Sequence, residues 1–142
     1  NYIVIIGAQN ASKKEGKLHG ALNSKRCVNL VGKTNLSELL ELFSISDALI
    51  SNDCGMAHLA SLTAIKKFIL FGPEDPRIFS PLGDNNRLLY SGLPCSPCLS
   101  ALNHRRSLCK DNRCLKMIKP DDVLGLLDLA RERMIYESKV SI

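Results

Sequence analysis

Three stretches of the chain carry residue types that could do chemistry. The first is SNDCGMAHLAS, residues 51–61, which follows the apolar run DALI and spaces Asp53, Gly55 and His58 as D-x-G-x-x-H. If Asp53 caps a helix, Cys54 and Gly55 supply free backbone N–H groups at its positive end, where an anion can settle. Gly55 has no side chain to hold that anion off. His58 lies one turn in, and helical side chains lean back toward the N-terminus, so its imidazole can donate to the same phosphate. Asp53 would repel phosphate but is suited to accept hydrogen bonds from sugar hydroxyls. The simpler alternative makes Asp53 only a cap and His58 only a core histidine.

The second stretch is VGKT, with Lys33 and Thr34 after Gly32. The phosphate loop of nucleoside triphosphatases needs a further glycine five positions before Gly32, and Cys27 stands there, so that cradle is excluded. Lys33 is then either a ligand-facing or a solvated loop lysine. The third is PCSPCLSALNHRRSLCKDNRCLKMI, in which Cys95-x2-Cys98 precedes Cys109-x4-Cys114. Four thiolates from two turns are compatible with a structural zinc, with His104 as a further candidate; reduced thiols in an irregular loop are the alternative. Residues 104–119 also carry Arg105, Arg106, Lys110, Arg113, Lys116 and Lys119 against the single acid Asp111. No aromatic residue in 91–119 could stack a base, so nucleic acid is not the expected partner. A phosphorylated glycolipid or an anionic membrane surface suits the patch better, and a solvated face is the plainest alternative.

The elements that must position these residues can be read from hydrophobic period. YIVIIG (2–7), CVNLVG (27–32), ALIS (48–51), KKFILFG (66–72) and RLLYSG (87–92) are short, apolar and bounded by turn residues, as buried strands are. Residues 9–26 are polar and read as a short helix or loop. NLSELLELFSISD places Leu36, Leu39, Leu40 and Phe43 at helical spacing, with Asn35 and Glu38 set as a capping box. MAHLASLTA reads as a helix starting near Cys54, and PEDPRIFSPLGDNN as a loop broken by its prolines. A final helix runs over 120–139, with Pro120 in its first turn and acids after it. Apolar strands alternating with helices predict a parallel α/β sheet covered on both faces, with ligands beyond the carboxyl ends of its strands.

Length and composition set the outer bounds. The 142 residues suit one ordinary domain, 1–142, and the excess of 19 Lys and Arg over 14 Asp and Glu favours anionic partners without choosing among them. YIVII and FILF fall far short of the roughly 20 residues that span a bilayer. Six cysteines are too few for a disulfide scaffold. Cys27 and Cys54 read as small, semi-buried residues. The chain opens at Asn1, so it is expected to be a piece of something longer.

The segment from NLVGKTNLSELLELF through SNDCGMAHLAS to FGPEDP resembles glycosyltransferase family 9, the heptosyltransferases of lipopolysaccharide inner-core assembly and their relatives. The order of a G-K-T-x-L-x-E-L helix start, a D-x-G-x-x-H-L-A turn and F-G-P-x-x-P carries the likeness, which extends over residues 2–138. The resemblance implies a Rossmann-like doubly wound parallel sheet, the C-terminal half of a GT-B fold, lacking its first strand because YIVIIG looks like the second. It implies a nucleotide-sugar donor of the ADP-heptose kind. Asp53, Cys54, Gly55 and His58 would bind its diphosphate and sugar, and Lys33 and Thr34 would border the base. Supporting catalytic roles fall to His58 and Asp53. The general base, and the domain that holds the glycolipid acceptor, are expected outside this chain, which alone should be a poor catalyst. The loop GAQNAS lacks the acidic residue that often meets the ribose. No cofactor is implied for the chemistry, and the expected setting is cytoplasmic, peripheral at the inner membrane face. A non-catalytic nucleotide-sugar module and a zinc-stabilised interaction module are the rival readings.

Overall fold

The computed structural model describes residues 2–8 and 24–129; the expected structure of 9–23 and of 130–139 lies outside them. The chain divides into two compact units, 1–42 and 43–142.

In the first unit, β1 (Ile3–Ile5) pairs in parallel with β2 (Cys27–Asn29), Ile3 opposite Cys27 and Ile5 opposite Asn29. The ladder runs on through Leu30 N–H to the Ile5 carbonyl (2.9 Å) and Gly32 N–H to the Gly7 carbonyl (2.8 Å). The chain then turns. Lys33 N–H reaches the Leu30 carbonyl at 3.0 Å, and Gly32 takes φ 67°, a left-handed value that favours glycine at that place in a turn. Helix α1 (Leu36–Ile45) follows. Its start is the expected capping box in full: Glu38 N–H donates to Asn35 Oδ1 (3.0 Å) and Asn35 N–H to Glu38 Oε2 (2.8 Å). Leu39 and Phe43 are buried, whereas Leu36, expected on the same stripe, is exposed.

The second unit is a three-stranded parallel sheet in the order β3 (Ala48–Asn52), β4 (Lys66–Phe71), β5 (Asn86–Tyr90). Alternation along the central strand β4 sends its side chains to opposite faces, and both faces are covered. Ile69 and Phe71 pack with Ala57, Phe79 and Tyr90 on one face. Phe68 packs with Leu89, Val123, Ile118 and Leu127 on the other. Phe68, Ile69 and Phe71 are wholly buried, which is why this strand reads as one apolar run. Lys67 is the exception, a buried amine whose desolvation pushes its pKa below the usual lysine value.

Between β3 and β4 the chain forms α2 (Gly55–Leu59), continued by a 3-10 turn (Ala60–Leu62). The stretch expected as a loop after β4 contains one turn of helix, α3 (Pro76–Phe79). Asp75 caps it, accepting from Arg77 N–H at 2.9 Å, and Pro76 supplies a preset φ at the first position. One of the prolines that argue against helix, Pro76, therefore begins one. A second short helix, α4 (Arg113–Lys116), interrupts the cysteine segment. The final helix is helical from 120 through 129, and Asp122 Oδ2 accepts Lys119 N–H (2.8 Å) at its start. Among the described residues, no helix is long and apolar enough to cross a membrane.

Candidate functional site

The turn after β3 lies at the carboxyl end of the sheet, where parallel sheets bind ligands. Asp53 N–H still reaches the Leu70 carbonyl of β4 (3.3 Å), so the turn begins while the chain is held by the sheet. One detail departs from the sequence reading. The residue that caps α2 is Cys54, at φ −160° and ψ 170°, and it makes no side-chain capping bond. Asp53 stands one position earlier and caps nothing. Helix start and cap differ by a residue because Gly55 itself takes the first helical position.

The consequence is a helix start at which no side chain makes a capping hydrogen bond to the first-turn N–H groups. Gly55 is exposed, and a methyl group added there would meet nothing within 4 Å. The protein's own packing does not demand glycine here, so the space is open to something else. His58 is one turn on, half-exposed, with Nε2 3.8 Å from Asp53 Oδ1. Its ring leans back to the turn as the helical geometry required, and it is no core histidine. The Asp53 carboxylate is mostly covered but has no hydrogen-bond partner among the described residues. Both parts of the simpler alternative are thereby removed. Ser51, which the sequence reading passed over, completes the turn: its Oγ donates to the Asn52 carbonyl (2.8 Å) and lies 3.2 Å from Cys54 Sγ. Its place three residues before Cys54 was the available signal. Cys54 is an exposed thiol rather than the semi-buried one expected.

The structure thus brings Asp53, Cys54, Gly55 and His58 together. Lys33 and Thr34 follow the Gly32 turn of the first unit, Lys33 exposed and Thr34 half-buried.

The next loop of the second unit is organised differently. Asp75 receives the Arg77 guanidinium in a forked ion pair (Nε 3.0 Å, Nη2 2.6 Å) that holds its carboxyl below the usual carboxylate range. Glu74 Oε1 pairs with Arg105 (3.1 Å), whose guanidinium lies 4.5 Å over the Phe79 ring. These residues were invisible as a group because they meet across 31 positions of sequence.

The cysteine segment offers no convergent donor set. Among the described residues, no three His, Cys, Asp or Glu side chains are grouped to hold a metal ion. Cys114 is buried on α4, Cys98 turns its Sγ to Ser107 Oγ (3.3 Å), and Cys95 and Cys109 are exposed. Backbone N–H groups of Asp111 and Asn112 push the Cys109 thiol below its ordinary value. A cavity of about 300 Å³ opens between β5 and the final helix, walled by Leu89, Met117 and Ile118. None of the expected site residues lines it.

Known proteins are similar to this chain in sequence and in fold. The chain is 29% identical over 126 residues to "Lipooligosaccharide heptosyltransferase 2" of Campylobacter jejuni, covering 86% of this chain and 38% of that one. In fold it is similar to the E. coli ADP-heptose LPS heptosyltransferase II, with TM-score 0.73, 23% identity, 94% of this chain and 37% of that one covered. It is also similar to a family 9 glycosyl transferase from Veillonella parvula, with TM-score 0.72, 16% identity, and 91% and 36% covered. The chain therefore spans under two-fifths of the length of these proteins. The model of glycosyltransferase family 9 (heptosyltransferase) matches residues 1–108, the stretch that holds both units' turns, and the chain belongs to that family.

Proposed function

We propose that this chain forms the donor-binding part of an inverting heptosyltransferase and holds a nucleotide diphosphate sugar, of the ADP-heptose kind, at the turn 53–58. The observation that carries the reading is the open start of α2, with Gly55 exposed, its added-methyl space empty, and His58 leaning back to within 3.8 Å of the Asp53 carboxylate. The diphosphate lies on the first-turn N–H groups of α2 and accepts from the His58 imidazole. Asp53 accepts from hydroxyls of the sugar.

In the reaction, the bond between the anomeric carbon and the diphosphate oxygen breaks while an acceptor hydroxyl oxygen attacks from the opposite face. Negative charge accumulates on the departing diphosphate, and donors already oriented toward that oxygen stabilise it as it develops. The acceptor proton passes to an acidic base outside these residues. The acceptor is a glycolipid of the lipopolysaccharide kind.

Calorimetric titration of the chain with ADP and ADP-heptose tests the reading. Binding of both is expected, and His58→Ala should weaken it by about tenfold or more, the worth of a hydrogen bond to a charged group. Absence of binding by the parent chain, or an affinity indifferent to His58→Ala, would overturn it.

A further inference from the structure

We infer that the loop 100–110 docks the protein on an anionic phospholipid bilayer, with Leu102 and Leu108 entering the interface and Arg106 and Lys110 meeting headgroup phosphates. Leu102 is 96% and Leu108 99% exposed, values at which neither side chain takes part in the core. They flank the sequence N-H-R-R-S, so two apolar side chains bracket a pair of arginines within seven residues.

The loop presenting them is not slack. Its root is tied to the turn after β4: Ser96 Oγ donates to the Gly72 carbonyl (2.5 Å), and Cys98 and Leu99 N–H both donate to the Pro73 carbonyl (2.8 and 3.0 Å). Its tip is built by polar neighbours of Leu102. Ser100 N–H donates to Asn103 Oδ1 (2.9 Å), Asn103 Nδ2 to the Cys98 carbonyl (2.8 Å), and Arg105 N–H to the Ser100 carbonyl (2.9 Å). Between the two leucines His104 and Arg105 both take left-handed φ, 53° and 55°. Two successive non-glycine residues in that region are costly, and such strain persists where a surrounding structure holds a shape in place.

The charges divide cleanly. Arg105 is engaged by Glu74 and Phe79, and Arg113 and Lys116 share Asp111. Arg106 and Lys110 are exposed and have no acidic partner among the described residues. Unpaired cations beside fully exposed leucines fit a surface that is anionic outside and apolar within, because the cations gain at the headgroup phosphates and the leucines gain by leaving water. A nucleic acid would offer the phosphates, but the segment has no aromatic side chain to meet its bases.

Membrane docking by this loop does not depend on nucleotide binding at the turn 53–58, and the two are measured separately. The chain is sedimented with vesicles of phosphatidylcholine alone and with about 30% phosphatidylglycerol, at low and at about 0.5 M salt. Binding is expected to the anionic vesicles only, and weaker at high salt. A Leu102→Ser, Leu108→Ser double variant should bind about tenfold more weakly or worse, while ADP affinity and thermal midpoint stay unchanged. Arg106→Gln with Lys110→Gln should lose the salt-sensitive part, and Leu82→Ser, an exposed leucine outside the loop, should bind as the parent does. Failure of the parent to bind anionic vesicles, equal binding to neutral ones, or equal losses from Leu82→Ser and the double-leucine variant would overturn it.

Discussion

The two loops that leave the carboxyl ends of β3 and β4 are neighbours on one sheet and opposites in chemistry. After β4 the chain spends most of its polar groups on itself, with Glu74 Oε2 the exception, buried without a hydrogen bond. Asp75 caps α3 and grips Arg77, Glu74 holds Arg105, and the Pro73 carbonyl takes two N–H groups. After β3 the corresponding groups stay unspent: a carboxylate without a hydrogen bond, a half-exposed imidazole, and a helix start with no capping side chain. A loop that satisfies its own polar groups is structural. One that leaves them oriented and open has room for a ligand to satisfy them. The difference locates the candidate site more sharply than the sequence of either loop.

The two glycines give the largest test of that contrast. A methyl at Gly72 would lie 2.8 Å from Leu115 Cγ and 3.1 and 3.2 Å from its two Cδ atoms. Gly72→Ala is expected to destabilise the chain by about 1–3 kcal/mol through overpacking, read by urea denaturation. Unchanged stability would mean that Leu115 moves aside and that this loop is looser than described.

A smaller effect should follow Asp75→Asn, read as thermal midpoint against pH. Because Arg77 depresses the folded-state pKa of Asp75, its contribution is complete above the ordinary carboxylate value of about 4. It fades as pH falls through the lower folded value, where the carboxylate takes up its proton. The asparagine variant should be less stable near neutrality and should lose part of the acid-side slope. Added salt should narrow the gap, since Arg77 is largely exposed.

The smallest expected change in stability is at Gly55. With nothing within 4 Å of an added methyl, Gly55→Ala should be neutral or stabilising by a few tenths of a kcal/mol, as alanine favours helix. Nucleotide affinity should nevertheless fall, since the methyl occupies the approach to the first-turn N–H groups. Lost stability at Gly55 together with none at Gly72 would invert the comparison.

Much of the architecture was legible because it is local. The capping box of Asn35 and Glu38 and the apolar run of β4 are patterns of a few residues, and both took the expected form. The helix at 76–79 escapes a reading by prolines for an equally local reason: Asp75-Pro76 is a helix start when Asp can cap and Pro opens the turn, and the same two residue types also mark loops. Asp53 was assigned a cap that the backbone gave to Cys54, since the sequence does not settle which of two adjacent residues leaves helical φ and ψ.

By itself the sequence determined the strands, the capped start of α1 and the presence of Asp53, Gly55 and His58 on one turn, because each rests on spacing within about one helical turn or strand. Tertiary structure alone decided that His58 faces out rather than in, that the space at Gly55 is empty, and that Glu74 meets Arg105 over Phe79. Those outcomes depend on which distant segments the sheet brings alongside, and contact between distant segments is set by packing, which no local pattern of residues encodes.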